Sequence, residues 1–177
     1  MLKPFIAAMA AVLTIVPGAQ AQSELNHKAI ASHLRSIGVT TSYEDCKGSG
    51  HNPGMVSLGS YNFVTNHFCI SNRIQDRAMF EQTVVHELVH VIQDCLAGGI
   101  NSPEMGSITR WMSGGDVLKE KEYDKVILSR LIDNNKIDHV DTAAGHLRGS
   151  QFMEREAYFL EDQPELVLNI LSECKPR

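Results

Sequence analysis

The stretch Thr83-Val84-Val85-His86-Glu87-Leu88-Val89-His90-Val91-Ile92 sets two imidazoles and a carboxylate into a run that is otherwise almost wholly apolar. The pattern predicts a helix from about Asp76 to Cys95, with Ser71 or Asn72 as a candidate cap and Gly98-Gly99 as its stop. A helix that is apolar on most sides is buried, so the rest of the chain must wrap around it. Polar groups carried into such a core are costly unless they find partners.

His86 and His90 are four residues apart and so lie one above the other on one helical face. Both rings can reach one metal ion. Zinc takes neutral imidazole nitrogens at about 2.0–2.1 Å, and a catalytic zinc keeps one position for water. Glu87 follows the first histidine and can reach a metal-bound water without binding the metal itself. As general base it would take the proton of a water whose pKa the metal has lowered. The competing reading of the same HExxH pattern is a chance arrangement of surface or core side chains.

A catalytic zinc needs a third protein ligand. The candidates lie on a second predicted helix, Gln151 to Asp162, which carries Glu154 and Glu156. Two residues apart on a helix they point about 200° away from one another, so only one can face the metal. His139 and His146 are rivals, and either would make an all-histidine site.

The remainder of the 177-residue chain is legible in outline. That length suits one domain with a real core. Lys3, the apolar run Phe5–Val16 and the triplet Ala19-Gln20-Ala21 have the three regions of a secretory signal peptide, with cleavage after Ala21. Domain boundaries are therefore 1–21 for the signal peptide and 22–177 for the functional domain. An uncleaved anchor or a buried helix is the alternative. Export makes two disulfides the expectation for Cys46, Cys69, Cys95 and Cys174. The sequence does not choose among three pairings. Our working pairing is Cys46–Cys69 with Cys95–Cys174, the second tying the end of the long helix to the C-terminus. A four-thiolate zinc site is disfavoured because no two of these cysteines are close in sequence.

A net charge of −5 without a concentrated basic patch argues against nucleic acid as a partner. No stretch after the leader could cross a membrane, so no stable membrane insertion is expected once the leader is removed. A first helix of about fourteen residues is expected after Ser23, with Leu25, Ile30, Leu34 and Ile37 inward and Gly38 as its end. Residues 39–60 read as loop with a short strand near Val56. Tyr61 to Ile70 reads as a strand or hairpin turning at Thr65-Asn66. Residues 100–115 read as loop, with Trp111 as core or loop packing. A helix is expected over 117–133, a polar stretch to Gly149-Ser150, and a short last helix after Pro164. The fold class is α+β with helices dominant. Asp94 is a candidate to orient an imidazole. Tyr158, Tyr123 and His146 are candidates to stabilise an oxyanion.

HExxH followed far downstream by a helical glutamate is similar to the gluzincin peptidases. Several of them carry the second motif as E-x-x-A-[D/N]. Glu154-Arg155-Glu156-Ala157-Tyr158 matches its Glu and Ala, with Tyr158 where an acidic or amide residue stands. The thermolysin-like form E-A-x-x-D would instead select Glu156-Ala157 and finds Leu160 at its last position. The order also resembles the ImmA-type minimal peptidases and the peptidase family that processes a mitochondrial ATP synthase subunit. In those a short hairpin precedes the motif helix, here ending at Phe68-Cys69-Ile70-Ser71-Asn72. The latter family's H-E-L-[IV]-H, with an acidic residue and a cysteine soon after, fits His86–His90, Asp94 and Cys95. The resemblance covers roughly Tyr61 to Glu161.

It implies a mainly helical, zincin-like minimal metallopeptidase domain with a small sheet before the motif helix. It further implies Zn²⁺ held by His86, His90 and Glu154, Glu87 as catalytic base, and a peptide or protein substrate. A zinc hydrolase of a non-peptide amide and a non-catalytic secreted zinc-binding protein are the other readings. Substrate specificity and oligomeric state are not legible.

Overall fold

A computed structural model describes residues 25–46, 57–98, 100, 105–144 and 150–175. The leader (1–21), Ser23, Val56 and His146 lie outside the described residues. The elements run α1 (His27–Ser36), β1 (Thr40–Glu44), β2 (Gly59–Asn62), β3 (His67–Ser71), α2 (Arg77–Leu96), α3 (Ile108–Met112), α4 (Val117–Asp133), α5 (Ile137–Ala144), α6 (Ser150–Leu160) and α7 (Pro164–Leu171). The class is α+β, with helices dominant and one small mixed sheet.

α2 forms where the apolar run predicts it. Its cap is Asp76, whose carboxylate accepts from the backbone N–H of Met79, and not Ser71 or Asn72. The side chain at Asp76 is the right distance from the first free N–H groups, whereas Ser71 still belongs to β3. Gly98, at φ +123°, follows the helix end. Leu88, Val89, Val91 and Ile92 are fully buried, so the second half of α2 is the centre of the core. At roughly 1.5–3 kcal/mol per buried aliphatic side chain, these four contribute on the order of 10 kcal/mol before conformational entropy is set against them.

α1 begins at an Asn26 cap, three residues later than Ser23 would place it, and Gly38 takes the left-handed conformation after it. Leu25, Ile30, Leu34 and Ile37 are buried against the core as their spacing requires. The sheet has the order β1-β3-β2. β2 and β3 form the expected hairpin, pairing antiparallel from Gly59↔Ile70 to Asn62↔His67. Asn66, at φ +50°, closes its turn. β1 pairs parallel to β3, from Thr40↔His67 to Glu44↔Ser71, in a region the sequence reads as loop.

Two disulfides, Cys46–Cys69 and Cys95–Cys174, pair as anticipated, each with Cα atoms 5.8 Å apart. The first locks the chain beyond β1 to the middle of β3. The second ties the end of α2 to the chain beyond α7. Such bridges accord with an oxidising compartment. No helix among the described residues is long and apolar enough to cross a membrane. α3 and α5 occupy stretches read as loop and polar linker. α4 bears a second small apolar cluster, Ile127 and Leu131 with Val140 of α5, onto which Tyr158 and Phe159 of α6 pack. α6 is thereby wedged between α2 and the α4–α5 pair. Trp111 is 46% exposed, against the expectation of packing: α3 turns it to solvent while Ile108 and Thr109 face inward.

Candidate metal centre

One face of α2 and one face of α6 meet at His86, His90 and Glu154, whose ligating atoms all lie within 4.8 Å of one another. His86 Nε2 is 3.3 Å from Glu154 Oε2, and His90 Nε2 is 3.5 Å from Glu154 Oε1. Two bonds of about 2.05 Å at a tetrahedral angle would place ligand atoms about 3.3 Å apart. The observed separations are those of such a tetrahedron's edges. Glu154 Oε2 is buried without a hydrogen-bond partner, although buried carboxylate oxygens are normally satisfied. Three convergent donors with an unpartnered carboxylate oxygen among them fit a metal cation.

Each imidazole is held from behind. His86 Nδ1 lies 2.9 Å from Glu161 Oε2, and His90 Nδ1 lies 2.8 Å from Gln93 Oε1. With Nδ1–H donating to an oxygen, each ring turns the lone pair of Nε2 toward Glu154. Gln93 is itself fixed, its amide nitrogen donating to the Met153 carbonyl at 3.1 Å and to Glu156 Oε2 at 3.0 Å.

The α6 helix separates its glutamates as the helical angle demands. Glu156 is 1% exposed and points away from the histidines toward the start of α3. Its Oε1 accepts from Ser107 Oγ at 2.9 Å, Thr109 N at 2.8 Å and Thr109 Oγ1 at 2.9 Å. Its Oε2 accepts from Ile108 N at 3.0 Å as well as from Gln93. This carboxylate is an anchor for the 107–109 turn and faces no metal site.

Glu87 is 7% exposed and lies under β2. A Cβ on Gly59 would come within 2.7 Å of Glu87 Cγ and 2.9 Å of its Oε1, so the absence of a side chain at Gly59 makes room for this carboxylate. A backbone hydrogen bond from Tyr61 holds it. Tyr61 is pinned in turn, its hydroxyl donating to Asp94 Oδ2 at 2.6 Å. Asp94 thus pins β2, because two helical turns from Glu87 bring it onto the face of α2 that meets the strand. Burial and the bond to Asp94 push the Tyr61 phenol well above its usual range.

The charges at the centre are strongly coupled. Burial opposes a charged His86, but Glu154, Glu161 and Glu87 around it outweigh that cost and hold its pKa up at about 10. His90 is raised despite its burial, mainly by Glu154. Burial works against ionised Glu154, yet the two histidines beside it pull its carboxyl well below the carboxylate range. Burial pushes Glu87 up, partly offset by His90 and His86. Tyr158 packs edge-on against His86, with ring centroids 4.5 Å apart, and burial with the field of Glu154 pushes its phenol up to about 12.

Other candidates stand apart. His139 is exposed on α5, its ring 6.2 Å from that of Tyr158, and is not in the cluster. Tyr123 is half-buried on α4. Glu44, His67 and Cys69 also gather, but the Cys69 sulfur is bonded to Cys46 and offers no thiolate. A cavity of about 160 Å³ is lined by Gln82, Val85 and Glu161 but by none of the three clustered groups. Sequence reasoning missed Glu161 and Gln93. Gln93 was findable, since it sits one turn beyond His90 within the apolar run; Glu161 had no such signal. The chain matches no family model, no curated protein and no solved structure.

Proposed function

We propose that the chain is an exported zinc-dependent peptidase, with His86, His90 and Glu154 as ligands and Glu87 as general base. The observation that carries this reading is the convergence of both Nε2 atoms on the Glu154 carboxylate, His86 on the buried Oε2 that has no hydrogen-bond partner and His90 on Oε1. Zinc held there would supply Lewis acidity, polarising a carbonyl and lowering the pKa of a water. Glu87 takes the proton from the attacking water and returns it to the leaving amine. Its buried setting, which favours the protonated form, suits a group that must hold that proton between the two steps. The bond from Tyr61 fixes the carboxylate while it does so.

Peptide is favoured over another amide by β2. This strand lies at the edge of the described sheet beside α2, where an extended backbone can pair with it. A structural zinc site would have four protein ligands; the described residues bring three together. Export is supported by the leader pattern of residues 1–21 and by the two disulfides.

The test joins metal analysis of the purified protein to cleavage of casein or a peptide library before and after chelation. About one zinc per chain is expected, lost in His86→Ala and in His90→Ala. Glu87→Gln should keep zinc and fold while activity drops by about 10²–10⁴-fold. Undiminished cleavage by a well-folded Glu87→Gln protein would sink the assignment.

A further inference from the structure

The geometry points to Glu161, braced by Lys136 and Gln82, as the residue that positions His86 for the metal; the inference rests on His86 being a ligand. Glu161 is the residue that follows α6, its N–H bonded to the Ala157 carbonyl at 2.9 Å. A helix C-terminus disfavours a carboxylate, and this one is 8% exposed. It is held there by three donors. Oε1 accepts from Lys136 Nζ at 2.7 Å and from Gln82 Nε2 at 2.9 Å. Among the described residues, the hydrogen-bond partner of Oε2 is His86 Nδ1, at 2.9 Å.

That division of labour fixes one arrangement. With both donors on Oε1, the carboxylate has a dedicated oxygen for the ring, so Nδ1 is the donor and Nε2 is left open toward Glu154. Lys136 also bonds Asp162 at 2.9 Å. It stands between α4 and α5, so the brace ties His86 to the far side of the molecule.

Tyr158 packs its ring on His86, and the anionic partner of that ring is Glu161, three residues beyond Tyr158. A glutamine at 161 could not replace it. Its amide nitrogen would meet either the Nδ1–H of His86 or the donors of Lys136 and Gln82. The first arrangement favours the ring tautomer that carries its proton on Nε2, where the metal must bind.

The test is zinc affinity by competition with a chromophoric chelator, together with the visible spectrum of the cobalt-substituted protein. Wild type, Glu161→Gln and His86→Ala are compared, with urea unfolding of the metal-free forms as control. Glu161→Gln should weaken zinc by about 10–100-fold and alter the cobalt bands, while still unfolding cooperatively. His86→Ala should lose stoichiometric metal. A Glu161→Gln protein with unchanged affinity and unchanged cobalt bands overturns the inference and leaves the metal centre standing. Equal zinc uptake by wild type and His86→Ala, or none by either, overturns the centre and the inference with it. If Glu161→Gln does not fold, Lys136→Met decides: a loss of at least about 3-fold in zinc affinity supports the brace, and no loss overturns it.

Discussion

Replacing Glu156 by glutamine separates the two glutamates of α6 most sharply. The carboxylate accepts from Ser107, Thr109 twice, Ile108 and Gln93, and it is 1% exposed. A glutamine keeps the shape and turns one acceptor into a donor. The least costly placement sets the amide nitrogen where Oε1 was, because the Ser107 and Thr109 hydroxyls can rotate to accept. The Thr109 backbone N–H then has no acceptor, at about 1–3 kcal/mol. The bonds from Ile108 and Gln93 become neutral, losing about 1 kcal/mol each. Relief from burying a charge offsets part of this, leaving a net loss of about 2–4 kcal/mol. For a chain of this size that lowers Tm by roughly 5–15 °C. Urea and thermal unfolding of chelator-treated Glu156→Gln and Glu154→Gln should therefore diverge. The first is destabilised with zinc affinity reduced modestly through Gln93 and His90. The second loses more than the roughly 10–100-fold in affinity that removal of an outer partner costs. Stability of Glu156→Gln within about 0.5 kcal/mol of wild type would refute the anchoring argument. A larger zinc defect in Glu156→Gln than in Glu154→Gln would show the register of α6 to be wrong by two residues.

Gly59→Ala should force Glu87 out of its place, because the added carbon meets Glu87 Cγ and Thr83 Cγ2 at 2.7 Å; peptidase turnover falls while zinc stoichiometry holds, and unchanged turnover would count against Glu87 acting from beneath β2. The metal-free protein should also lose stability in the alkaline direction. His86 is raised from 6.5 to about 10 in the folded state, so its contribution is complete below pH 6.5 and fades as pH climbs through about 10. Zinc displaces those protons, and the gap in Tm between zinc-loaded and chelated protein should widen from pH 6 to pH 8.5; a constant gap would contradict this coupling.

Helices α2, α4 and α7 were legible because each announces itself locally. α2 does so through its apolar run, α4 through its Asp116 cap and the buried pair Ile127 and Leu131, and α7 through Pro164 at its first position. β1 was not, since Thr40-Thr41-Ser42-Tyr43-Glu44 is exposed or half-exposed throughout and carries no alternation; it exists because β3 offers it a parallel edge. α3 has five residues and is held by Glu156, forty-odd positions away, which no local pattern reveals. The helical angle between Glu154 and Glu156 showed that only one could face the histidines. The family pattern favoured Glu154, and packing against α3 shows why Glu156 faces elsewhere. Glu161 escaped notice because its role depends on Gln82 arriving from α2 and Lys136 from the α4–α5 connection.

Three carboxylates, two on α6 and one on the residue that ends it, face three different neighbours: Glu154 the histidine pair, Glu156 the 107–109 turn, and Glu161 the junction of α4 with α5. The helix therefore behaves as a single lever. Any opening that lifts α6 off α2 releases a ligand, a loop anchor and a ring support in one event. Such an opening leaves His86 and His90 paired on α2 without Glu154 and without the support that Glu161 gives the His86 ring. Amide exchange in α6, α3 and the α4–α5 junction should accordingly belong to one cooperative unit, and an ion bound at the centre would slow exchange in all of them together.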